Sequence, residues 1–148
     1  MILVIQRVSN ASCTVDGCVT GKIEKGYMIL VGLTESDTLE EIKLLVKKTI
    51  GLRVFSDEQG KMNKSIIDVG GSILAISQFT LYADCKHGNR PSFTTAMNYT
   101  KASEYYDIFC QMLADANIKV ERGIFGADMK ISLVNDGPVT IILDTEDL

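Results

Sequence analysis

The sequence predicts an α/β domain, a layered α/β/β arrangement in which a strongly bent, barrel-like mixed sheet carries two main helices. Three observations point to it. Two segments repeat their apolar residues at helical spacing, and about eight short runs rich in strand formers surround them. Tyr27 to Leu33 is apolar throughout, which suits a strand covered on both faces. Asp16-Gly17, between Ala11 to Val15 and Cys18 to Ile23, is the dipeptide that a type I′ hairpin turn prefers, because both positions need positive φ.

Taken in order, the first strand is Ile2 to Val8, a run of Val and Ile interrupted by Gln6 and Arg7. The hairpin follows, and then Gly26 introduces Tyr27 to Leu33. Ser36 and Asp37 are candidate N-caps for the first helix, with Glu40 at capping-box spacing from Asp37. Leu39, Ile42, Leu45, Val46 and Ile50 mark its buried stripe, and Gly51 is placed to end it. Leu52 to Phe55 reads as a short strand before the polar turn Ser56 to Lys61. Gly70-Gly71 punctuates the entry to Ile73 to Tyr82, an apolar run that turns polar at Ser77, Gln78 and Thr80. A loop follows from Ala83 to Pro91. The second helix carries Ala102, Tyr105, Tyr106, Phe109, Met112, Leu113 and Ala116 on one face, so its aromatics read as core rather than as a stacking platform. Lys119 to Arg122, Met129 to Val134 and Val139 to Leu143 then read as three strands.

A chain of 148 residues, 46% of them hydrophobic, can bury one sizeable core, and residues 1–148 read as a single domain. No apolar run approaches the roughly 20 residues of a membrane-spanning helix, and Met1 to Ile5 has no basic leader, so a cytoplasmic protein is expected. Cys13, Cys18, Cys85 and Cys110 make no CxxC pair, and with one histidine a zinc cluster or disulfide framework is not expected. A net charge of -4 argues against gripping nucleic acid with the whole surface. Local cationic pairs remain, among them Lys47 with Lys48, Lys61 with Lys64, and Lys86 with Arg90.

Catalytic sets can be tested by subtraction. There is no GxSxG elbow, P-loop or HExxH. A thiol enzyme would have to use Cys85 with His87, the sole histidine, in a polar loop where an incidental pairing is the better reading. Thr80 lacks an adjacent base to activate it. Any hydrolysis would therefore lean on backbone amides, substrate geometry and a base supplied by the substrate.

Six stretches run collinearly through the chain: Gln6-Arg7-Val8, Gly60 to Asn63, Ser77-Gln78-Phe79-Thr80-Leu81-Tyr82-Ala83-Asp84, Arg90 to Phe93, Gly123 to Met129, and Asn135-Asp136-Gly137-Pro138-Val139-Thr140. In these the sequence resembles the D-aminoacyl-tRNA deacylases. The resemblance implies a cytoplasmic homodimer acting on tRNA at its 3′ aminoacyl end, cleaving the ester to a D-amino acid without a metal or other cofactor. It places Thr80 and Phe79 in the catalytic step, with the Phe79 and Thr80 amides facing the developing oxyanion. Ser77, Gln78, Phe79 and Met129 would line the substrate site. Gly137 and Pro138, joined by a cis bond and inserted from the partner subunit, would form a chiral gate that excludes L-amino acids, with Arg7 supporting it. A steric gate of this kind would also admit glycyl-tRNA. Cys85 stands where the family more often has Thr. No membrane or DNA partner is implied; the alternative is a non-catalytic RNA-binding module.

Overall fold

The computed structural model describes all residues from Met1 to Leu148. Its long axis is β1 (Ile2–Val15), a single strand where two were expected, because Ser9 and Asn10 stay extended and β1 bends instead of breaking. One edge of β1 pairs along most of its length with β8 (Lys130–Asp144), antiparallel. The other edge is divided: its C-terminal half pairs with β2 (Cys18–Ile23) across the Asp16-Gly17 turn, and its N-terminal half pairs with β3 (Gly26–Gly32). Asp16 and Gly17 both have positive φ, as a type I′ turn requires.

Beyond β3 the sheet becomes parallel, through β6 (Ser72–Ser77) to β7 (Lys119–Arg122). The twist brings β7 round towards β2, where the Thr20 hydroxyl donates to the Arg122 carbonyl at 3.2 Å. The mixed sheet is thus nearly closed into a barrel, with α1 (Leu39–Gly51) and α2 (Tyr99–Asp115) packed on one face. β4 (Phe55–Ser56) and β5 (Met62–Lys64) form a separate small ladder.

Strand alternation explains the unbroken apolar runs. In β6, Ile73 and Ala75 face the helices and join a large core with Leu3, Ile5, Ile29, Ile42, Tyr106 and Phe109. Leu74 and Ile76 point the other way into a smaller core with Val8, Ala11, Cys13 and Met28. Both faces are buried from Ile73 to Ile76, and the polar residues Ser72 and Ser77 stand only at the strand's two ends. All four cysteines are free. Burial pushes the Cys110 thiol up to about 11, which leaves it inert at neutral pH.

Several boundaries differ from the sequence reading. The cap of α1 is Thr38, not Ser36 or Asp37, and its capping box closes on Glu41: the Glu41 carboxylate accepts from the Thr38 N–H at 2.7 Å. The Thr38 hydroxyl and backbone bonds hold Glu41 below the usual carboxylate range. Asp37 is spent elsewhere. It is buried, accepts from the α-amino group of Met1 at 2.6 Å and from the Thr34 N–H at 2.8 Å. Gly51 stays inside the helix, and extended Leu52 ends it. The strand expected at Leu52 to Phe55 is Phe55–Ser56.

Removing a buried charge's partner typically costs about 3–5 kcal/mol. Asp37→Ala is accordingly expected to lower unfolding free energy by about that amount, read as a shifted urea midpoint at unchanged slope. A shift no larger than that of an exposed control such as Glu40→Ala would show that the pair contributes little.

Candidate functional site

The run Ile73 to Tyr82 is not one strand. β6 stops at Ser77, where the second core ends. The Gln78 N–H donates to the Val31 carbonyl at 2.8 Å, and Gln78 then leaves the sheet at φ -148°, ψ 82°. Phe79–Tyr82 coils into a 3-10 turn. The leading N–H groups of a helical turn have no partner within it. No backbone bond outside the regular elements starts from the Phe79 or Thr80 amide, whereas those of Leu81 and Ala83 are used.

This break opens a cavity of about 570 Å³. Ile76, Ser77, Gln78 and Phe79 line it together with Phe125 to Met129. Met97, whose N–H donates to the Leu33 carbonyl at 3.0 Å, and Ala102 close the helix side. Phe79 meets Phe93 edge-on at 5.0 Å, and Tyr99 meets Phe125 in the same manner at 5.0 Å, so aromatic pairs rim the mouth. The position of Met129 depends on Gly123: a Cβ there would lie 2.4 Å from the Met129 sulfur. Asp128 is the only acid on the lining, and it is paired with Lys130 at 3.1 Å.

Ser77, Gln78, Phe79 and Met129 are thus brought together as expected from the sequence. Thr80 lies just outside the lining, exposed, its hydroxyl accepting from the Gln78 side-chain amide. Tyr99 was missed. The one cue was Gly126: at φ +77° it leaves the space that the Tyr99 ring fills, only 2.8 Å from where a Cβ would stand. Cys85 and His87 are both exposed on a loop outside the cavity.

Arg7, Gly137 and Pro138 are not among the residues that line this cavity. β8 continues through the region where two strands were expected. Val8 pairs with Asn135 and Gln6 with Thr140, so Arg7 alone stands opposite Asp136 to Val139, which loop out of the ladder. The Asn135 side-chain amide closes the loop's base, donating to the carbonyls of Arg7 at 3.1 Å and Val139 at 2.9 Å. Arg7 donates through Nε to the Asp136 carbonyl at 3.0 Å and through Nη1 to the Val54 carbonyl at 2.6 Å. Its side chain is only 11% exposed. Gly137 has φ +132° and is joined to Pro138 by a cis bond, and both residues are exposed. The loop is a stiff, outward-facing knob.

No group of three or more His, Cys, Asp or Glu side chains is placed to hold a metal ion, and no helix is long and apolar enough to cross a membrane.

Residues 4–144 match a family model described as D-Tyr-tRNA(Tyr) deacylase. Among solved structures, one described as a c-Myc DNA unwinding element binding protein superposes at a TM-score of 0.92 with 40% identity, over 98% of this chain and 99% of that one. Another, described as a probable eukaryotic D-amino acid tRNA deacylase, shares the fold at a TM-score of 0.82 and 17% identity, over 96% and 97%.

Proposed function

The chain belongs to the D-Tyr-tRNA(Tyr) deacylase family and is a hydrolase of D-aminoacyl-tRNA, and from that premise we propose how it chooses the hand of its substrate. Two copies act as a cytoplasmic homodimer. The outward knob at Gly137 and Pro138 of one copy enters the cavity of the other, beside Ser77, Gln78, Phe79 and Met129. The observation that carries this reading is a mismatch within one chain: the cavity is apolar and open, while an exposed backbone loop braced by Arg7 and Asn135 takes no part in its lining.

Selectivity then comes from main-chain carbonyls occupying the space an L side chain would need. A braced backbone cannot swing aside as a long side chain can. The free amides of Phe79 and Thr80 stabilise the oxyanion, usually the largest single catalytic contribution. The 2′-hydroxyl of the terminal ribose orients the attacking water and relays its proton to the departing 3′ oxygen as the ester bond breaks, and Thr80 positions rather than reacts.

The test is deacylation of D-tyrosyl-, L-tyrosyl- and glycyl-tRNA by the purified protein. Cleavage of the D ester, survival of the L ester and measurable cleavage of the glycyl ester are expected, since glycine has no side chain to collide. Complete survival of the glycyl ester under saturating enzyme would contradict a steric gate. The 40%-identical relative's description also suggests a DNA-binding reading. Under that reading, single-stranded DNA would bind tightly while none of the three esters was cleaved.

A further inference from the structure

We propose that the loop from Cys85 to Pro91 is the subsite for the backbone phosphates next to the terminal nucleotide, with Lys86 and Arg90 as the residues that hold them. The inference rests on the deacylase reading above and extends it to how the RNA is gripped.

The loop is fastened to the rim of the cavity at both ends. Asp84 and Ser92 exchange backbone hydrogen bonds of 2.7 and 2.9 Å, which pins its base. Phe93, the next residue, packs edge-on against Phe79 and lines the cavity. The end of the Phe79–Tyr82 turn also borders a second cleft of about 260 Å³, lined by Leu81, Tyr82, Ala83, Asp84, Lys86 and Thr95. A single strand whose 3′ end sits in the first cavity has this turn and this loop as one of its ways out.

Charge distinguishes the loop from the rest of the mouth. Arg122 is paired with Asp107, Lys130 with Asp128, and Lys101 donates to the carbonyls of Glu35 and Asp37. Lys86 and Arg90 have no acidic partner, and both are exposed. The one neighbouring carboxylate, Asp84, accepts from the Lys86 backbone N–H at 2.8 Å and so shapes the turn without touching either cationic head. A protein with a net charge of -4 that holds RNA needs cations without acidic partners where the phosphates pass. Phosphate contacts fix position and carry no sequence information, which suits an enzyme that must accept many tRNAs.

The test compares wild-type protein with Lys86→Ala/Arg90→Ala on D-tyrosyl-tRNA and on D-tyrosyl-adenosine, which has the ester but no phosphates. On tRNA the double variant is expected to raise KM at unchanged kcat. It should also flatten the dependence of log(kcat/KM) on log[salt] by about 1.4, at about 0.7 per lost single-strand phosphate contact. The nucleoside ester should be cleaved as by wild type. Lys47→Ala/Lys48→Ala removes the same charge from α1, which lines neither cleft, and is expected to change neither quantity. An unchanged KM and salt slope on tRNA would overturn the proposal, as would an equal flattening by the α1 variant. Wild-type protein that cleaved neither ester would remove the deacylase reading and this one together.

Discussion

D-tyrosyl-tRNA whose terminal 2′-hydroxyl is replaced by hydrogen is expected to be cleaved about 10²–10³-fold more slowly than the native substrate, the loss typical of removing a proton-transfer group. Thr80→Ala is expected to lose about tenfold or less. The asymmetry follows from what the cavity lacks. Its only acid, Asp128, is paired with Lys130, and the only histidine in the chain is on an exposed loop outside the lining. The Thr80 hydroxyl is outside it too, held by the Gln78 amide. A hydroxyl so placed can orient the turn that presents the Phe79 and Thr80 amides, but nothing beside it can take its proton. Single-turnover cleavage of both substrates by both proteins decides the matter. Fast cleavage of the deoxy substrate, together with a folded but inert Thr80→Ala protein, would assign the chemistry to the threonine.

The second large effect concerns the knob. Gly137→Ala and Arg7→Ala are each expected to lower the ratio of kcat/KM for D- over L-tyrosyl-tRNA by about 10- to 100-fold. For Gly137 the reason is space. A Cβ would stand 2.8 Å from Val139 Cγ2, 2.9 Å from the Val139 nitrogen and 3.0 Å from an Arg7 nitrogen, at a φ of +132° that side-chain-bearing residues rarely adopt. The loop must shift, and its carbonyls shift with it. For Arg7 the reason is bracing. Truncation removes the donors to the Asp136 and Val54 carbonyls, charge-assisted bonds worth about 1.5–3 kcal/mol each. Neither change touches Ser77, Gln78 or Phe79, so cleavage of the D ester should fall less than discrimination. Thermal unfolding of both variants separates a loosened gate from a lost fold. Folded variants that keep the wild-type D/L ratio would show that this loop does not set chirality.

Much of the architecture was readable from the sequence because its physics is local or periodic. The Asp16-Gly17 turn, the helical stripes of α1 and α2, and the doubly buried β3 each follow from residue type and spacing. What was misread depends on partners distant in the chain. Asp37 looks like a helix cap until the α-amino group of Met1 claims it, and Thr38 takes its place. Val134 and Val139 look like the ends of separate strands because the loop between them is polar and holds a proline. Only the pairing with β1 shows that the ladder resumes at Thr140. Ile73 to Tyr82 reads as one extended run because nothing in its residues says that the second core stops at Ser77.

The site divides in the same way. Ser77, Gln78, Phe79 and Met129 come from motifs that resemble the family, and the cavity collects all four. Tyr99 escaped because its role depends on the missing Cβ of Gly126, 27 positions along the chain. That Gly137 and Pro138 are exposed and absent from the lining of their own cavity depends on the three-dimensional placement of the loop, which a sequence motif does not carry.

Whether the knob of one copy works in the cavity of another is tested most directly by mixing two defective copies. One carries Ser77→Phe, which fills the cavity and leaves the loop at Gly137 intact; the other carries Gly137→Ala and keeps an open cavity. The Ser77→Phe homodimer should be inactive, and the Gly137→Ala homodimer should cleave D-tyrosyl-tRNA with its preference over the L ester reduced as above. In a purified heterodimer, the open cavity of the second copy meets the intact knob of the first, so one of the two symmetry-related sites is whole. D-selective cleavage at about half the wild-type rate per dimer is expected. A heterodimer no more selective than the Gly137→Ala homodimer would contradict it.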